Sequence, residues 1–245
     1  MAERVVITHA GDGAFQPCGW PGREGVDARI LWRRDANGPF TALVRYPKAW
    51  RRGVPEYLTA DEAVFAVSGN LTITGSAFRD QAYGAFAPGA VRLASQAPEG
   101  ATTLSFFSGP PEAMAGMAPK GLHEAPRDVR RCGLYFDGWD ADFDKISAPL
   151  WRQASARIKL LRRDADGAET FIIGTLPIWR ARQAERHAHD LEIFVIEGDL
   201  AWEDVSLGAW DHAFVPAGAP VGPYRSTDGA TLLIRSHGPF RAEPC

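Results

Sequence analysis

The chain has 245 residues and a formal net charge of −3, with 45% hydrophobic and 23% charged residues. Because there is no surplus of Lys and Arg, binding to nucleic acid or to an anionic membrane has no electrostatic basis. No run approaches the roughly 18 apolar residues of a membrane helix, and residues 1–7 lack the apolar segment of a secretory signal. We therefore expect a folded cytoplasmic protein whose partners are small molecules.

Short apolar runs bounded by Gly, Pro, Asn or Asp recur along the whole chain. Each run has the length of a β-strand, and many short strands separated by turn signals predict an all-β sandwich or barrel. In chain order the runs are Phe40 to Tyr46, Ala63 to Val67, Leu71 to Thr74, Thr102 to Phe107, Phe171 to Thr175, Glu192 to Ile196 and Thr231 to Arg235.

The second half of the chain repeats the first. When residue n is set against residue n+129, 21 of the 78 positions in residues 33–110 are identical without a gap. A single long period indicates a duplicated domain, since a solenoid needs several shorter repeats. We predict a first barrel at residues 1–110, including an arm in residues 1–27, a proline-rich linker at 111–130 and a second barrel at 131–245.

The two copies differ where metal-binding side chains occur. His187, His189 and Glu192 of the second copy are matched by Leu58, Ala60 and Ala63 of the first. Two histidines at i and i+2 on a strand share a face, and a carboxylate after a turn can return to that face. Two imidazoles with one carboxylate suit Fe(II), Mn, Ni or Zn and leave coordination positions open.

The pattern His-x-His-x-x-Glu at residues 187–192, the apolar run that ends at Gly198 and the Pro-x-Gly at residues 216–218 resemble the two signature motifs of the cupin superfamily. The likeness is greatest to ChrR-like and uncharacterised bacterial double cupins. It implies two tandem jelly-roll barrels, a homodimer, and one divalent metal held in the C-terminal barrel only, by His187, His189 and Glu192. The chain departs from the family at Val221, where a further histidine is usual.

Other side chains are candidates for the same site. His212 is expected to share a barrel-interior face with Trp210 and Phe214, which makes it a catalytic candidate. Tyr224 and His237 are the other catalytic candidates, and each of the three has a structural alternative as a hydrogen-bonded or surface side chain. Trp202, Trp210 and Arg92 are substrate-binding candidates, Arg92 for an anionic group in a metal-free first barrel.

Three classes of function remain open. The first is a mononuclear metalloenzyme acting on a small organic molecule in the C-terminal barrel, either a dioxygenase or a Lewis-acid isomerase, cyclase or lyase. The second is a ligand-sensing or binding double cupin without catalysis. The third is a metal-free cupin, in which His187, His189, His212 and Tyr224 act as acid and base.

Overall fold

The computed structural model describes residues 4–79, 81–118, 127–130, 146 and 148–245, and these consist largely of antiparallel strands. The prediction of an all-β protein is therefore confirmed. The chain divides into two compact units. We call Gly13–Asp137 the N-terminal barrel, and Met1–Asp12 with Gly138–Cys245 the C-terminal barrel. Among the described residues no helix is long and apolar enough to cross a membrane.

The N-terminal barrel contains one large sheet and two small ones. Its large sheet has the strand order β14-β10-β7-β12-β4-β3-β2, and the small sheets are β5-β11-β8-β9 and β13-β6. The strands are β2 (Gln16–Pro17), β3 (Asp27–Arg33), β4 (Phe40–Tyr46), β5 (Trp50–Arg52), β6 (Glu56–Leu58), β7 (Glu62–Gly69), β8 (Leu71–Ile73), β9 (Ser76–Phe78), β10 (Tyr83–Phe86), β11 (Ser95–Ala97), β12 (Ala101–Phe107), β13 (Ala113–Ala115) and β14 (Arg127–Arg130).

The C-terminal barrel is built in the same way. Its sheets are β1-β22-β19-β25-β16-β15, β17-β24-β20-β21 and β23-β18-β26, so the main strands follow the order of their counterparts in the other barrel. The elements are β1 (Val6–Thr8), α1 (Pro149–Gln153), β15 (Arg157–Arg163), β16 (Glu169–Thr175), β17 (Trp179–Arg180), β18 (Glu185–His187), β19 (Leu191–Gly198), β20 (Leu200–Trp202), β21 (Val205–Leu207), β22 (His212–Val215), β23 (Pro220–Val221), β24 (Arg225–Ser226), β25 (Ala230–Ser236) and β26 (Ala242–Pro244).

The backbone repeats with the offset read from the sequence. Gly89 N–H donates to Leu58 O and Gly218 N–H donates to His187 O, and the N···O distance is 2.9 Å in both hydrogen bonds. Gly198 lies at φ +80°, and a Cβ there would overlap the carbonyl of Gly229, as one at Gly69 would overlap Gly100. Glycine is therefore required at this turn in both copies, because only glycine has no Cβ and adopts this conformation without strain.

The ends of the barrels differ from the predicted boundaries. β1 pairs with β22, so residues 1–12 belong with the C-terminal barrel and not with the first barrel as its arm. The predicted linker at 111–130 contains β13, which pairs with β6, and β14, which pairs with β10. Each of these short strands adds backbone hydrogen bonds at the rim of the first barrel, which a proline count does not reveal.

Each barrel has its own apolar core between the large and small sheets. In the C-terminal barrel, Leu191, Ile193 and Val195 of β19 point into this core, together with Trp202 and Val221. Successive side chains of a strand point to opposite faces. The intervening residues of β19 therefore lie on the outer face of the large sheet.

Candidate functional site

The three side chains predicted as metal ligands are not brought together. Glu192 alternates with Leu191 and Ile193 and so lies on the outer face of the large sheet, whereas His187 lies inside the barrel beside Phe240, with 5.2 Å between ring centroids. His189 follows the end of β18, is half-buried and packs over Gly238. The expected geometry of this triad is wrong, because Leu191 and Ile193 are the residues of β19 that point into the core and Glu192 lies between them.

Glu192 is held on that outer face by two histidines. One carboxylate oxygen lies 2.9 Å from His212 Nε2, and the other lies 2.9 Å from His237 Nε2. Burial by itself would raise the pKa of Glu192, but the hydrogen bonds and positive charge of His212 and His237 lower it well below its usual range. Both oxygens of the carboxylate are thus engaged by protein donors.

The expectation that His212 faces the barrel interior is also wrong. Ala213 and Val215 are the residues of β22 in the core, so His212 and Phe214 point the other way. Trp210 lies half-buried in the preceding turn at φ +71° and is not part of that core. His212, Trp210 and His237 therefore do not line the interior of the barrel, in which Trp202 and Tyr224 lie.

Inside the C-terminal barrel, the polar groups gather around Glu185. Trp151 Nε1–H of α1 donates to Glu185 Oε1 over 2.9 Å, and His187 Nε2 lies 3.2 Å from the same oxygen. Tyr224 packs against Trp151 in a tilted arrangement, with 4.8 Å between centroids and 37° between planes, and meets Trp202 edge-on at 5.5 Å. All five side chains are buried, and each carries at least one polar atom in an apolar surrounding.

Several polar atoms of this cluster have no hydrogen-bond partner. They are both ring nitrogens of His187, Oε2 of Glu185 and the hydroxyl of Tyr224. The contact of 3.2 Å between His187 Nε2 and Glu185 Oε1 is an electrostatic one that lacks hydrogen-bond geometry. Burial, and secondarily the charge of Glu185, raises the pKa of Tyr224 well above its ordinary value, so its hydroxyl stays protonated and available as a donor. Since buried polar groups are nearly always satisfied in folded proteins, such a group of unpaired atoms needs an explanation.

Glu185 was not among the residues predicted for the site. The signal was present in the sequence, because Glu185 and Glu56 are identical at matched positions of the repeat. The backbone confirms this equivalence, since Glu56 pairs with Arg92 where Glu185 pairs with Val221. The strand partners of the two glutamates therefore differ, Arg in one barrel and Val in the other.

The interior of the N-terminal barrel is closed by ion pairs. Arg23 Nη1–H donates to Glu56 Oε1 over 2.5 Å, and Arg52 pairs with the other oxygen of Glu56. Arg92 Nη2 lies 2.6 Å from Glu62 Oε2. Arg92 is only 2% exposed and its charge is paired with Glu62, and its role in holding an anionic substrate group stays a prediction.

A resident metal ion does not fit these donors. Within the described residues, no group of three or more His, Cys, Asp and Glu side chains converges on a common point. In the C-terminal barrel, Glu185 and His187 are accompanied by Leu191 and Val221, which offer no donor atoms. Both oxygens of Glu192 serve His212 and His237.

The comparisons with known proteins identify the fold. No protein-family model matches the chain, and no curated protein sequence matches it. A structure from Nostoc punctiforme with a provisional dioxygenase name is similar, with a TM-score of 0.82 and 17% identity over 100% of this chain and 88% of that one.

Two further solved structures are alike at lower scores. Salicylate 1,2-dioxygenase from Pseudaminobacter salicylatoxidans has a TM-score of 0.60 and 11% identity over 89% of this chain and 80% of its own. The pirin YhhW of Escherichia coli, in complex with nickel(II), has a TM-score of 0.60 and 9% identity over 96% of this chain and 100% of its own. The chain therefore has a tandem cupin fold.

Proposed function

We propose that this protein is an acid–base cupin, which binds a small organic molecule inside the C-terminal barrel and transfers a proton through His187. The observation that carries the proposal is the group of unpaired buried atoms on His187, Glu185 and Tyr224. Unpaired polar atoms inside an apolar core are complementary to a ligand that supplies their missing hydrogen bonds.

His187, Glu185 and Tyr224 each suit a different role in proton transfer. His187 is the general base, since imidazole is the side chain best matched to proton transfer near neutral pH. Glu185, 3.2 Å from His187 Nε2, orients the ring and stabilises its protonated form. Tyr224 keeps its proton and donates a hydrogen bond to a substrate oxygen that gains negative charge. The proton taken by His187 returns to another substrate atom, which completes an isomerisation. If the substrate carries a leaving group on the neighbouring carbon, His187 instead gives the proton to that group as it departs, which is a lyase reaction.

The apolar walls favour a partly apolar substrate. Trp202 packs against Tyr224 and Phe240 packs against His187, and rings that exclude water in this way strengthen the hydrogen bonds that form beside them. Small organic ligands occur in the same fold, since salicylate 1,2-dioxygenase has been crystallised as an adduct with gentisate. That protein supports a small organic ligand in general and does not define the one bound here.

The proposal is tested by solvent exchange. The protein is incubated in D₂O with a panel of carbonyl compounds that carry an acidic C–H, and deuterium incorporation is followed by NMR. We expect exchange with at least one compound, reduced about 100-fold or more in His187→Gln, because a general base contributes roughly 10²–10⁴-fold. His189→Gln is the matched control, since His189 is half-buried after the end of β18, whereas His187 is 3% exposed.

Two results would overturn the proposal. Exchange that persists in His187→Gln and disappears in His189→Gln would place the base elsewhere. One tightly bound metal ion per chain, lost in His187→Gln and required for exchange, would replace the acid–base reading by the metalloenzyme predicted from the sequence.

A further inference from the structure

The indole of Trp151 fills the space next to the proposed proton-transfer pair. It is 2% exposed, it stacks on Trp179 with 5.0 Å between centroids and 20° between planes, and it contacts Tyr224 at 4.8 Å. Its N–H donates to Glu185 Oε1. A planar ring held between two aromatic rings, with its one polar hydrogen bound to a carboxylate, has the contacts of a bound ligand.

The element that carries this ring is small. α1 comprises five residues, and Ala148 at its N-cap provides no side-chain hydrogen bond. Helices of this length are not stable by themselves, so the position of α1 depends on the packing of its side chains. Displacement of the single Trp151 ring therefore opens the chamber without disturbing the strands that carry Glu185 and His187.

The N-terminal barrel provides the contrast. There the equivalent carboxylate, Glu56, is covered by Arg23 from the segment that precedes β3, and Arg52 holds its second oxygen. Two guanidinium groups on one buried carboxylate form a closed arrangement. In the C-terminal barrel the neutral N–H of Trp151 and the imidazole of His187 lie against the carboxylate of Glu185 instead of two guanidinium groups.

We infer that Trp151 is a gate that occupies the ligand position in the closed state, and that the ligand is a planar ring bearing an N–H or O–H group that replaces the indole on Glu185. This inference rests on the proposed function for the role of the opened chamber. Beyond that function, the gate defines the chemical class of the ligand and the conformational step by which the ligand enters. The displaced indole vacates the space between Trp179 and Tyr224, and the incoming ring takes over the hydrogen bond to Glu185.

Gate opening is measured by chemical labelling of His187. Diethyl pyrocarbonate modifies accessible imidazoles, and peptide mass spectrometry resolves His187 from the half-buried His189, which serves as the internal reference. We expect slow labelling of His187 in the wild type and an increase of about tenfold or more in Trp151→Phe, which keeps a ring but lacks the N–H. Trp50→Phe, which removes a buried indole N–H from the N-terminal barrel, is the control and leaves the rate unchanged.

Ligand class is measured with indole and 1-methylindole, which differ in the N–H group. Indole should bind Trp151→Ala more tightly than the wild type. The ratio of the two affinities should equal the ratio of the His187 labelling rates of the same two proteins, because both quantities scale with the fraction of molecules in which the gate is open. 1-Methylindole should bind Trp151→Ala at least about tenfold more weakly than indole, since it leaves Glu185 without a donor.

Three outcomes would overturn the gate. These are unchanged labelling of His187 in a folded Trp151→Phe, equal affinity of indole for wild type and Trp151→Ala, and equal affinity of the two probes. Binding of indole to Trp151→Ala alone, with unchanged labelling in Trp151→Phe, would indicate an engineered cavity and would also overturn it. The deuterium exchange test is independent of these results, so loss of exchange activity with an intact gate would refute the proposed function only.

Discussion

The ion pair between Arg92 and Glu62 makes a quantitative prediction about the N-terminal barrel. Both side chains are almost fully buried, and Arg92 also lies over Phe86 at 4.6 Å. Removing one partner leaves the other as an uncompensated buried charge, which costs about 3–5 kcal/mol. Glu62→Gln should therefore destabilise this unit by that amount, equivalent to roughly 10–20 °C in the unfolding temperature for a unit of this size.

The other copy of the repeat supplies the compensating double variant. Leu191 and Val221 stand at the positions matched to Glu62 and Arg92. The double variant Glu62→Leu with Arg92→Val gives the N-terminal barrel the apolar pair of the C-terminal barrel. Because an apolar pair has no charge to desolvate, it should recover most of the loss and be more stable than either single change.

Urea unfolding, followed by circular dichroism and tryptophan fluorescence, measures these differences. Glu99→Gln is the control: it removes an ion pair with Lys48 whose side chains are 76% and 74% exposed, so it should cost at most about 1 kcal/mol. If the decreases in unfolding free energy of the Glu62 and Arg92 single variants simply add in the double variant, the two charges do not stabilise each other. That result would contradict our account of the interior of the N-terminal barrel.

Three further predictions concern the rest of the chain. Because the pKa of Glu192 is lowered in the fold, its ionised carboxylate stabilises the protein fully at pH values above the ordinary pKa of about 4.5. This stabilisation is lost progressively as the pH falls from there towards the lowered pKa. Thermal melts between pH 5 and 3 should therefore fall less steeply in Glu192→Gln, and equal slopes would contradict this. Gly198→Ala should destabilise the protein by more than about 2 kcal/mol, whereas Gly218→Ala, with a similar φ but open space, should cost only about 1 kcal/mol in denaturant titrations; equal losses would refute the steric argument. We also predict a homodimer from the resemblance to cupins, which light scattering at micromolar concentration would contradict if it gave the mass of one chain.

The sequence predicted the fold better than the site. The offset of 129 residues recurs in the backbone, where Ala49 and Ile178 are matched residues at positive φ, as are Gln81 and Trp210. Such agreement follows because turn glycines and strand spacing determine the backbone of both copies.

The carboxylate predicted for the site lies one residue away from the position in β19 that points into the barrel. Successive side chains of a strand point to opposite faces, and the residue of β19 that points into the core is Leu191, one position before the carboxylate chosen from the His-x-His-x-x-Glu spacing. The direction of Arg92 toward Glu62 and the insertion of Trp151 from α1 depend on tertiary contacts that no local pattern encodes. The identity of Glu56 and Glu185 was the one local signal that pointed to the buried carboxylate.

The central claim is that Glu185 and His187 form a proton-transfer pair that has no metal ion between them. It is tested most directly by elemental analysis of protein purified without chelator and then incubated with Fe(II), Mn, Ni or Zn, in the wild type and in His187→Ala. We predict well under one ion per chain in both proteins, because no third donor converges on this pair among the described residues. One ion per wild-type chain, lost in a folded His187→Ala, would contradict the account.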